Sequence, residues 1–192
     1  MAGKMAALGT VGGSAVAALT WENIPQTYES LEIQFSLMSA ASSGEVALYL
    51  SYNNDVTESR WFPSGQRLSN SSWSAYSGAA GVAMWIGGIL GQAAALTKQQ
   101  TGGIIRIMNY STAHRVSGEG LPNISAYSEC FYGTNDSGAS PVNGLWTLSH
   151  GHDTATGTPA AGTSINRLDL YIGTGANFTT TSSATLYGLP KE

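Results

Sequence analysis

The chain has 192 residues, enough for one domain with a proper core, and it carries 8 basic and 12 acidic residues against 42 serines and threonines and 24 glycines. Charged residues make up 10% of the chain, against roughly 25% in an ordinary globular domain. A net charge of −4 without any Lys/Arg run excludes a nucleic-acid partner, 42% hydrophobic content excludes a disordered chain, and a single cysteine, Cys130, excludes an intrachain disulfide.

Residues 1–13 are small and apolar with Gly12-Gly13 at their end, and they read as a short N-terminal docking arm, with Leu8, Val11 and Val16 as contact residues. Ser14 to Trp21 reads as a first strand. Pro25 lacks an N–H and holds Ile24 extended, so it marks a corner. The strand after it alternates cleanly. Leu31, Ile33, Phe35 and Leu37 form a dry side, and Glu32, Gln34, Ser36 and Met38 a wet or partnered one. Val46, Leu48 and Leu50 alternate with Ala47, Tyr49 and Ser51, and Asn53-Asn54-Asp55 turns the chain.

Arg60 to Pro63 is a short aromatic strand, and Leu68 to Tyr76 a polar-aromatic segment. Gly78 to Leu96 is apolar and long enough for a bilayer, but six glycine or polar interruptions place it as a loop or short strand against a neighbouring subunit, with Met84, Trp85 and Ile86 in the contact and no membrane partner. Ile104 to Met108 reads as a central strand covered on both faces, and His114 to Val116 as the start of its neighbour. Ser125 to Tyr132, Leu145 to Ser149, Ile165 to Ile172 and Ser183 to Leu189 complete nine or ten strands with turns between them and no helix. The class is all-β: a single antiparallel β-sandwich or jelly-roll-like domain over residues 14–192.

Five segments occur in a fixed order: Ile24-Pro25-Gln26-Thr27-Tyr28, Leu48 to Asp55, Ile105 to Tyr110, Ile165 to Leu170, and Ala184-Thr185-Leu186-Tyr187-Gly188. Taken together they resemble a β-sandwich family common in tailed bacteriophages. Its members read I-P-x-T-Y-x-x-L, then an F-N-G-D turn, an I-x-N-Y strand end and a terminal A-T-L-Y-G-I. The likeness spans about residues 8 to 189, and it departs from the pattern at Asn53-Asn54-Asp55, which lacks the glycine. It implies a virion structural module without a catalytic site, found as capsid decoration proteins and at the ends of tail fibres.

The residues that could carry chemistry are few. His150, His152 and the adjacent Asp153 could converge on a metal if the backbone is extended, but a Gly/Thr-rich loop is the simpler reading. Asn53, Asn54, Asp55 and Glu58 offer oxygens to calcium without a recognised loop pattern, so no metal or other cofactor is expected. Glu22, Glu29, Glu32, Glu45 and Asp169 fall on strand faces or turns, as solvated positions rather than a glycosidase pair. Cys130 reads as a buried strand thiol. Trp61, Trp73 and Tyr76 are core or interface aromatics that could also stack on a sugar.

The expectation is therefore a non-enzymatic phage virion protein, assembled in the bacterial cytoplasm. It would be a homo-oligomer, with a trimer favoured by the resemblance, that decorates the capsid through contacts with the major capsid protein. Gln34 on the wet strand face is a further candidate for the subunit contact. The alternative is a tail-fibre or tail-tip receptor-binding module that contacts host surface glycan.

Overall fold

The computed structural model describes residues 5–41, 45–54, 61–69, 72–77, 84–90, 100–108, 110–111, 124–133, 143–152 and 164–190. Among these residues there are twelve strands and no helix: β1 (Ala6–Gly12), β2 (Ala18–Trp21), β3 (Ser30–Leu37), β4 (Glu45–Tyr52), β5 (Trp61–Ser69), β6 (Ser72–Ser77), β7 (Met84–Leu90), β8 (Thr101–Met108), β9 (Ile124–Gly133), β10 (Asn143–His152), β11 (Leu168–Ile172) and β12 (Ser183–Leu189). Eight of them form one sheet in the order β1-β12-β3-β8-β9-β10-β5-β6, and four form a second, β2-β11-β4-β7. Every pairing is antiparallel. The two sheets pack as a β-sandwich, with β7 lying over β9.

Alternation explains the core. Leu31, Ile33, Phe35 and Leu37 of β3 are buried, and register places Leu31 beside Ile107 and Ile33 between Ile105 and Leu186. The second sheet answers with Leu19 and Trp21 of β2, Leu168, Leu170 and Ile172 of β11, and Val46, Leu48, Leu50 and Tyr52 of β4. Each large aliphatic side chain buried this way stabilises the fold by about 1.5–3 kcal/mol.

Three expectations change. The docking arm over residues 1–13 is, from Ala6 onward, the edge strand β1, paired to β12 with an irregularity between Ala7 and Gly9. Leu8, Val11 and Val16 pack partly buried against the core, and the Trp21 indole N–H bonds the Gly9 carbonyl at 3.0 Å, which ties β1 to β2. The apolar run contains β7, whose Met84, Ile86 and Ile89 are buried in the chain's own core. Here register jumps from Leu48–Gly87 to Tyr49–Trp85, so Ile86 is an extra, bulged residue. Its carbonyl turns across the sandwich and accepts the Ser128 hydroxyl at 3.0 Å and the Cys130 thiol at 3.1 Å. Met38 lies just beyond β3 and is buried, so the wet face ends at Ser36. The segment His114 to Val116 lies outside the described residues.

Candidate interaction face

The five ordered segments converge at one end of the sandwich, where they lock the chain's corner. The hydroxyl of Tyr110 donates to the Pro25 carbonyl at 2.6 Å and accepts the Tyr28 N–H at 3.1 Å. The Tyr28 ring lies where a side chain on Gly188 would be, so only glycine fits beneath it. The Gln26 amide donates to the carbonyls of Ile24 and Ile165, both at 2.8 Å, and Ile165 N–H bonds the Tyr110 carbonyl at 2.9 Å. Asn53, in the left-handed region at φ 49°, caps the segment before β11 through Ser164, Asn166 and Arg167. The Tyr110 hydroxyl, the Gln26 amide nitrogen and the Asn53 side chain are thus spent on holding backbone, while Gln26 Oε1 is buried without a hydrogen-bond partner.

The outward face of the eight-stranded sheet is different. One row of cross-strand pairing positions runs Ser183–Ser36–Gly102–Phe131–Leu145–Leu68–Trp73 from β12 to β6, and its described side chains toward β6, Phe131, Leu68 and Trp73, are apolar. Phe131 and Trp73 are 58% and 57% exposed, and Met108 and Tyr127 on the same face are 45% and 37% exposed. The Phe131 ring lies over Gly102, where a Cβ would come within 2.7 Å of it. One strand pair away sits the face's charge. Glu32 is buried beside Arg106, whose Nε bonds it at 2.7 Å, while the Gln34 amide holds the other carboxylate oxygen at 2.8 Å. Arg106 itself is 60% exposed, so its guanidinium covers the carboxylate and faces solvent. Glu129 stands on β9 in the next row, opposite Ile104. Partial burial pushes the Tyr127 phenol up, Glu129 adds to that, and Arg106 opposes it.

The outward face of the four-stranded sheet carries a second aromatic row, Tyr171–Tyr49–Trp85, with the two tyrosines stacked at 5.7 Å. Beside it Asp169 is buried and satisfied. Arg167 holds both of its oxygens at 2.8 Å, Thr20 bonds one at 2.7 Å, and Glu22 takes another Arg167 nitrogen at 2.5 Å. Glu32 and Asp169 are thus buried ion-pair members rather than solvated positions, which corrects the sequence reading. They lie on opposite outer faces of the sandwich, too far apart to flank one glycosidic bond.

Of the aromatic trio, Trp73 stands exposed on the outward face, and the side chains of Trp61 and Tyr76 lie outside the described ones. Of the expected subunit contacts, Met84 and Ile86 are fully buried in the single chain and offer nothing to a partner; Trp85 and Gln34 are half-buried on outward faces. His150 and His152 lie two residues apart on β10, and Asp153, Asp55 and Glu58 fall outside the described residues. Among the described residues, no three His, Cys, Asp or Glu groups are placed to share a metal, and no helix is long and apolar enough to cross a membrane. Cys130 is buried.

Phe131, Tyr127 and Met108 escaped the sequence reading. The signal was present in β9, where Tyr127, Glu129 and Phe131 alternate with Ala126, Ser128 and Cys130. The small residues take the inside because the bulged β7 lies directly over them, and the bulky ones are left outside. Set against protein-family models, curated proteins and solved structures, the chain matches none.

Proposed function

We propose that this chain is a non-enzymatic structural protein of a tailed-bacteriophage virion, a homo-oligomer that decorates the capsid. The observation that carries this reading is the exposed apolar face of the eight-stranded sheet, on a chain with so little charge. Four large apolar side chains exposed on one sheet face are a liability for a free monomer and an asset inside an assembly. The ordered motif set adds the phage resemblance, which favours a trimer. In this reading β1 is part of the sandwich, so docking to the particle uses a folded surface rather than a loose arm. Mass spectrometry of purified particles, followed by a labelled virion map, tests it. The expected result is the chain on the capsid in many copies, and its absence from particles overturns the proposal.

Trp73 supports a second reading, a tail-tip module that stacks its exposed indole on a host sugar. In that case the purified chain binds host cells and Trp73→Ala abolishes the binding.

A further inference from the structure

We infer that the outward face of the eight-stranded sheet, from β3 across to β6, is a self-association surface, and that what covers it is another copy of this chain. The inference rests on the reading of the chain as an oligomeric virion protein and assigns the contact within it. Size is the first argument. Six strands about 4.8 Å apart and about eight residues long give a face of about 29 by 26 Å, or about 750 Å², close to the roughly 800 Å² that each partner contributes to a specific interface. A sugar chain or a short peptide would cover only a strip of it.

Charge is the second argument. Among the described residues the face shows one outward cation, Arg106, already partnered to Glu32, and one further carboxylate, Glu129, on the adjacent strand and in the adjacent row. A surface carrying both signs side by side is complementary to itself. Around a closed symmetry axis each copy supplies both groups, which lets Arg106 of one copy face Glu129 of the next. The apolar row of Phe131, Leu68 and Trp73 flanks that pair on the side toward the sheet edge, as an interface core beside a charged contact. A uniformly basic or acidic partner surface would leave one of the two charges opposed.

Light scattering of the full chain, with calorimetry as a folding control, tests the assignment. The chain is expected to read a multiple of its 19.9 kDa mass. The double variant Trp73→Ser/Met108→Ser should read as a monomer with unchanged thermal midpoint, because both side chains are exposed. Glu129→Arg should weaken association about tenfold. Phe131 is spared because its ring packs on Gly102. A double variant that keeps the oligomer overturns the inference, as does a wild-type monomer at about 100 μM, where a micromolar interface would be filled. Particle composition separates the two claims. A chain found in virions but monomeric alone sinks the self-contact and leaves the virion reading standing. A chain missing from virions, whose oligomer collapses in the double variant, does the reverse.

Discussion

The hydroxyl of Tyr110 sits 2.6 Å from the carbonyl of Pro25, and that bond joins two sequence motifs 85 residues apart. The same hydroxyl accepts the Tyr28 N–H, so one phenol satisfies both sides of the proline corner. Tyr110→Phe keeps the buried ring and removes only these bonds. Two backbone groups are then left in a corner with little water, at a cost of about 1–3 kcal/mol. In urea denaturation the midpoint should fall with an unchanged m-value. A midpoint equal to wild type would mean that water replaces the hydroxyl, and that the corner is held by packing alone.

That corner explains what was legible in the sequence. Strands β3 and β4 could be read because their apolar residues alternate. Strand β8, expected to be covered on both faces, has Arg106 and Met108 exposed on its outer face, and Ile104 and Met108 make that open face look apolar in sequence. Strand β1 could not be read, since Gly and Ala positions half-buried at a sheet edge leave no clean period. Strand β7 could be read only as a loop or short strand, since Met84 to Leu90 holds no polar residue to mark an outer face and the extra residue at Ile86 destroys the period of two. The surface was harder still. Trp73 and Phe131 each sit among other aromatics in sequence, and only register places them outward, because a shift of one residue exchanges the faces of a strand.

Gly102 and Gly103 are neighbours on β8 with different reasons for being glycine. A Cβ on Gly103 would run into the Phe35 ring and come within 2.5 Å of the Glu129 carbonyl, which is backbone and cannot swing away. A Cβ on Gly102 would meet only the Phe131 ring, which is exposed and can swing aside. Gly103→Ala should therefore cost about 3 kcal/mol through forced strand separation, and Gly102→Ala under about 1 kcal/mol. Chemical denaturation of the pair checks this. Equal losses would show that Phe131 is as fixed as backbone.

Cys130 is predicted to be inert in the native protein. Its thiol is buried, out of reach of a reagent in solvent, and donates to the Ile86 carbonyl. Ellman's reagent should react with it only on unfolding. Cys130→Ala leaves the Ile86 carbonyl bonded to Ser128, so its cost is the lost packing of one sulfur, about 1–2 kcal/mol. Rapid labelling under native conditions would show that the β7–β9 contact opens locally.

Alkaline stability should be governed by Tyr52. Burial pushes its phenol far above the ordinary value of about 10, and its hydroxyl has the Met84 sulfur at 3.9 Å as a weak acceptor. In the unfolded chain the phenol ionises near pH 10, while in the folded chain it keeps its proton. Below that pH both states hold the proton and stability is unaffected. Above it the unfolded state binds fewer protons, so stability falls by up to about 1.4 kcal/mol per pH unit for this group. Burial also raises the phenols of Tyr110, Tyr127 and Tyr171, which steepens the decline. Denaturation midpoints measured from pH 9 to pH 11.5 should drop, and 295 nm absorbance should show a tyrosine class that titrates only as the protein unfolds. Tyr52→Phe removes one such group with little change in packing, so its midpoint should decline more gently. The same slope in wild type and variant would place the alkaline sensitivity elsewhere.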